Sequence, residues 1–174
     1  MSESQVKVTN LDNGIRVVSD TMNSVESVSL GAWFGIGTRN ESADVNGVAH
    51  LLEHMAFKGT NGRSAAAIAE EVEIVGGHLN AYTSREQTAY YAKLLKGDMS
   101  LGVDILSDIL QNSIFAELEL DRERNVVLQE IGQSADTPDD IIFDYFQETA
   151  YPNQGLGRPV LGTGDIISKM PRET

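Results

Sequence analysis

With 174 residues, 41% of them hydrophobic, the chain is long enough for one domain with a real core and too apolar for disorder. Its net charge of −13 disfavours nucleic acid and anionic membranes as partners, and no apolar run approaches the roughly 20 residues of a membrane helix. Without cysteine there is neither a disulfide nor a thiolate metal site, so any zinc must be held by His, Asp or Glu.

Met1-Ser2-Glu3-Ser4 lacks the basic and apolar regions of a signal peptide, and a cytoplasmic location is expected. Val6 to Leu11 and Ile15 to Ser19, joined through Asn13-Gly14, predict a hairpin with a tight type I′ turn. Val28 to Ile36, carrying Trp33 and Phe34, reads as a buried strand. Asn46 is placed to cap a helix whose apolar side is Val48, Leu51, Leu52 and Met55, with Gly59 marking its end. Ser64 opens a second helix through Val75, closed by Gly76-Gly77. Leu79 to Thr83 and Thr88 to Leu95 read as two antiparallel strands, followed by helices at about Asp98 to Gln111, at Glu117 to Ser134 and after Pro138. With no internal repeat or linker, a single α+β domain over residues 1–174 is the expectation.

The first of those helices contains His50-Leu51-Leu52-Glu53-His54. Residues four apart share a helical face, so His50 and His54 can grip one metal ion while Glu53 lies beside them. This is the H-x-x-E-H arrangement, in which the carboxylate can take a proton from metal-bound water. Helical histidines more often pack or face solvent, but two of the chain's three histidines fall in this window. His78, after Gly76-Gly77, is expected at the surface or in a loop. A catalytic site needs a third protein ligand, and Glu123 and Glu130 lie seven residues apart, on nearly one face of a later helix. Spacing does not choose between them, and two ordinary solvated carboxylates would look the same.

His50 to Thr60, Gly76-Gly77-His78-Leu79-Asn80-Ala81-Tyr82-Thr83-Ser84, Glu123-Arg124, Glu130 and Gly157 to Thr163 together resemble the pitrilysin/insulinase family of zinc peptidases, and within it the processing peptidases. The resemblance implies a mixed, mainly antiparallel sheet with helices packed mainly on one side. It implies one Zn2+ per active site on His50, His54 and Glu130, Glu53 as general base, and Glu123 as the carboxylate supporting the ligands. It also implies a peptide substrate lying along an edge strand at Asn80, Ala81 and Tyr82, a pocket lined by Phe57 just after the scissile bond, and an acidic pair, Asp140 and Asp144, for an arginine upstream of the cut. A solvated acidic face is the plain alternative for the last pair.

Members of this family have two homologous halves, and the second is implied to close the site with an arginine and a tyrosine. The chain ends at Thr174, so it is expected to be an N-terminal piece, weak or inactive alone, that needs a C-terminal half or a second subunit in a homodimer or heterodimer. A mitochondrial matrix location is expected only if a transit peptide has been removed. One rival is a lyase using the same inverted motif, which relies on a cysteine absent here. The other is a noncatalytic structural or presenting subunit of the same fold, in which the metal motif is typically lost.

Overall fold

A computed structural model of the chain describes residues 6–174. Strands β1 (Val6–Asn10) and β2 (Arg16–Asp20) pair antiparallel, with Val6 opposite Asp20 and Asn10 opposite Arg16. The turn between them is not type I′. That turn needs positive φ at both central residues, whereas only Gly14 has it, at +88°. Gly14 N–H bonds Leu11 O and Leu11 N–H bonds Ile15 O, giving a three-residue loop in which Asn13 Oδ1 accepts from Ile15 N–H.

A second sheet has the order β3-β5-β4, all antiparallel, from β3 (Ser27–Phe34), β4 (His78–Thr83) and β5 (Thr88–Leu95). Alternation sorts its faces. Leu79, Ala81 and Thr83 point toward helices α1 (Val48–Ala56) and α2 (Ala65–Ile74), while His78, Asn80 and Tyr82 are exposed on the other side. Helix α3 (Met99–Gln111) packs on β3 and β5 from the same side as α1 and α2. One core cluster fills this layer with Ile68, Val72, Ala92, Leu94, Ile105 and Ile109. Full burial of such a side chain contributes roughly 1.5–3 kcal/mol.

β3 departs from the expected buried strand: Trp33 is 61% exposed, and Phe34 and Ile36 are exposed as well. β3 is an edge strand, and α3 covers its Val28–Leu30 end without reaching Trp33. The apolar run therefore reports hydrophobicity, not coverage.

The second cluster joins α1 to α4 (Glu117–Asp136) and the short α6 (Gly164–Ile167) through Leu51, Met55, Leu120, Val127 and Ile167. Leu52, read from sequence as part of the buried stripe of α1, is 47% exposed, because the stripe that meets α4 is Leu51–Met55. Helix α5 (Pro138–Ala150) follows α4 directly, with Pro138 in its first turn, where the missing N–H costs nothing. Ser64 caps α2 as expected, its hydroxyl accepting from Ala67 N–H at 3.1 Å. No helix among the described residues is long and apolar enough to cross a membrane.

Candidate metal centre

Helix α1 begins in a way the sequence did not disclose. Asn46 is not its cap. The N-cap position belongs to Gly47 at φ +98°, where an added Cβ would lie 2.8 Å from Ile167 Cδ1. The capping carboxylate comes from Glu41: Oε2 accepts from Gly47 N–H at 2.8 Å and Oε1 from Ala49 N–H at 2.7 Å. A negative charge here also meets the positive end of the helix dipole. Asn46, 1% exposed, donates to Glu41 Oε2 at 2.9 Å and to Pro159 O at 3.2 Å, while Arg158 donates to Glu41 O. Gly162, at φ +74°, sits against Asn46 O. The Gly157–Thr163 motif thus braces the start of the helix that carries both histidines.

One turn apart along that helix, His50 and His54 stack edge to face at 4.7 Å between ring centroids, and both turn Nε2 toward Glu130 on α4. Glu130 Oε2 lies 3.6 Å from His50 Nε2 and 3.7 Å from His54 Nε2. One ligand atom from each of the three residues falls within 4.8 Å of the others. Ligands about 2.1 Å from a tetrahedral zinc lie roughly 3.4 Å apart, so the residues present fit such an ion. The donor set, two imidazoles and one carboxylate, also suits it.

Glu123 occupies a different place. Only 5% exposed, it turns Oε2 to His54 Nδ1 at 2.9 Å and Oε1 to Lys58 Nζ at 2.7 Å. This contact fixes His54 as the Nδ1–H tautomer and frees Nε2 to face Glu130. Burial opposes ionisation of Glu123, yet Lys58 and His54 outweigh it and the carboxyl lies below its ordinary value. Lys58 was not singled out from sequence. The available signal was its position four residues after His54, just past the end of the same helix.

Burial shapes the electrostatics of the remaining groups. Burial, and then the neighbouring His54, push His50 down to about 4, so its ring is neutral and able to ligate. Glu53 is raised chiefly by burial, and its Oε2 is buried without a hydrogen-bond partner. Tyr90, pushed up to about 12 by burial and then by the nearby Glu53, stays a neutral phenol.

The other expected site residues fall around this centre. β4 is indeed an edge strand, open on the side away from β5, and α1 packs against it. Asn80 Oδ1 accepts from Ala81 N–H at 2.8 Å, so the side chain covers a main-chain donor on β4. Tyr82 is exposed, its hydroxyl accepting from Gln87 at 2.8 Å. Phe57 caps α1 and packs beside Tyr90, with centroids 6.1 Å apart. On α5, Asp140 is exposed with no side-chain partner among the described residues, whereas Asp144 accepts from Arg85 at 2.6 Å. His78, at the start of β4, is exposed.

The sheet, the one-sided helices and the H-x-x-E-H helix facing a glutamate on α4 make up an α+β domain built around a candidate metal centre. A profile described as Insulinase (Peptidase family M16) matches residues 16–164, and the chain belongs to that family. It is 46% identical over 169 residues to the mitochondrial-processing peptidase subunit beta of Rattus norvegicus, covering 97% of this chain and 34% of that one. It is 45% identical over 156 residues to the uncharacterized zinc protease YmxG of Bacillus subtilis, covering 90% and 38% respectively. Among solved structures, a protease from Helicobacter pylori superposes with a TM-score of 0.91 at 27% identity, over 97% of this chain and 41% of that one. The chain spans about a third of the length of the curated relatives it matches.

Proposed function

We propose that the protein is a zinc-dependent endopeptidase that cleaves extended peptides, with His50, His54 and Glu130 as ligands and Glu53 as general base. The observation that carries this reading is the convergence of both Nε2 atoms on Glu130 Oε2, 3.6 and 3.7 Å away. The names of relatives as zinc proteases and a processing peptidase support it. Zinc bound there would supply a water acidified toward neutral pH and a Lewis acid for the carbonyl oxygen.

The chain's own residues do the rest. Glu53, held in a buried position next to the ligands, accepts the proton of the attacking water and passes it to the leaving amine; its raised proton affinity suits a group that must both take and give. Glu123 orients His54. The open edge of β4 pairs with the peptide main chain, for which Asn80 must release Ala81 N–H. Phe57 lines the pocket after the scissile bond, and Asp140 with Asp144 receives an arginine upstream of it. A second homologous half, or a partner subunit, completes and closes the site.

The test uses the intact protein: zinc content, and cleavage of an arginine-containing peptide with and without chelator. One equivalent of zinc and chelator-sensitive cleavage are expected. Full activity after chelation, or in Glu53→Gln, overturns the reading. A noncatalytic presenting subunit would bind peptide and leave it whole.

A further inference from the structure

Arg85 lies in the turn between β4 and β5, immediately after the strand proposed to hold the peptide. Its backbone is fixed: Thr38 N–H bonds Ser84 O at 3.2 Å and Arg39 N–H bonds Arg85 O at 2.9 Å. Gly37 lets the two segments approach, since a Cβ there would stand 2.4 Å from Ser84 O. From this anchored turn the guanidinium reaches across to α5 and donates from Nη2 to Asp144 Oδ1 at 2.6 Å, with both side chains largely withdrawn from solvent. Asp140, one helical turn earlier, has no partner among the described residues.

We infer that Arg85 is an internal occupant of the arginine-recognition site and sets its selectivity by competing with the substrate's guanidinium for Asp144. This rests on the proposed peptidase reading. The observation behind it is that a guanidinium already sits on one of the two carboxylates, Asp144. The internal pair is also incomplete. Arg85 makes one bond where a guanidinium fork can make two, and its Nε is buried without a partner. An incoming arginine bridging Asp140 and Asp144, four residues apart on one helix, would satisfy more donors at once. Binding is therefore an exchange, in which the free Asp140 captures the substrate's arginine and Arg85 yields Asp144. The cost of displacing Arg85 lowers the discrimination between arginine and neutral peptides below what two free carboxylates would give.

The test measures dissociation constants of matched arginine and alanine peptides for the intact, zinc-loaded protein in a Glu53→Gln background, so that it does not depend on hydrolysis. Arg85→Gln is expected to raise the arginine-over-alanine affinity ratio about tenfold, one charge-assisted bond being the competitor removed. Arg85→Lys, which keeps a cation, should stay near the parent ratio. In an Asp144→Asn background the Arg85→Gln effect should vanish, because the contested carboxylate is gone. An unchanged or lowered ratio in Arg85→Gln overturns the inference, the lowered one marking Arg85 as a tether that holds Asp144 for the substrate. An equal rise in both backgrounds also overturns it, as a long-range charge effect. Peptide cleavage by the parent enzyme is scored separately, so failure of the peptidase reading is seen on its own.

Discussion

Glu123 Oε2 and His54 Nδ1 are 2.9 Å apart, although 69 residues separate them in the chain. The contact links the two helices of the centre through the face of the imidazole turned away from Glu130. It sets Glu123 behind His54 and leaves Glu130 facing both Nε2 atoms, so that Glu130 is the proposed ligand and Glu123 the proposed support, a choice spacing left open. Glu123→Gln keeps size and shape but loses the negative charge on which His54 and Lys58 both depend. Zinc affinity should fall about 10- to 100-fold, measured by competition with a chromophoric chelator. Lys58→Met should show a smaller loss in the same direction, since it touches only the support. Unaltered affinity in Glu123→Gln would return the residue to the status of an ordinary buried ion pair.

Glu53 and Glu130 are both carboxylates near the histidines, yet their substitutions should separate cleanly. Glu53→Gln is expected to retain stoichiometric zinc and lose about 10²- to 10⁴-fold in kcat, the range for a positioned general base. Glu130→Gln should lose metal first and activity as a consequence. Metal analysis of the purified variants decides this before any kinetics, and stoichiometric zinc in a His50→Ala/His54→Ala double variant would refute the ligand assignment.

The legible part of the molecule was the local part. Turn residues and periodicity place the two hairpin strands, the β4–β5 pair and helices α1 to α5 within a few residues of where they lie. H-x-x-E-H on a helix fixes the relation of His50 to His54 because one helical turn brings them together. What the sequence hides depends on distant segments. Glu41 reaches the start of α1 around a short turn; Arg158 donates to its carbonyl and Pro159 O holds the neighbouring Asn46, each across more than 100 residues. No periodicity encodes that closure. Trp33 and Leu52 mislead for the complementary reason: hydrophobicity states a tendency to be covered, but the neighbours decide whether cover exists.

Glu41 yields a prediction that separates capping from metal binding. Glu41→Ala leaves the first amides of α1 without their acceptor and strands Asn46 with one fewer partner. Loss of a cap costs about 0.5–2 kcal/mol, and the buried Asn46 places this position toward the upper end. Denaturant unfolding of the metal-free intact protein measures it. A loss below a few tenths of a kcal/mol would show that water or Asn46 takes over the cap.

The low proton affinity of His50 predicts how the metal-free protein responds to acid. Its ring sits at about 4 in the folded chain against 6.5 unperturbed, first because it is buried and second because His54 is beside it. Above pH 6.5 both folded and unfolded forms are neutral there, and the group contributes no pH dependence. As pH falls from 6.5 toward 4, the unfolded chain takes up a proton that the folded one refuses, so stability declines. Below about 4 both are protonated and the decline stops. At about pH 5 the loss should reach roughly 2 kcal/mol, at 1.36 kcal/mol per unit. Other groups titrate in the same window, so the measurement is a difference: urea unfolding of the chelator-treated parent and of His50→Gln, each at pH 7 and pH 5. The stability gap between the two chains should move by about 2 kcal/mol in favour of the variant on acidification. A gap that does not move would mean that the imidazole is solvated in the metal-free fold, and that α1 and α4 come together around the ion instead of waiting for it.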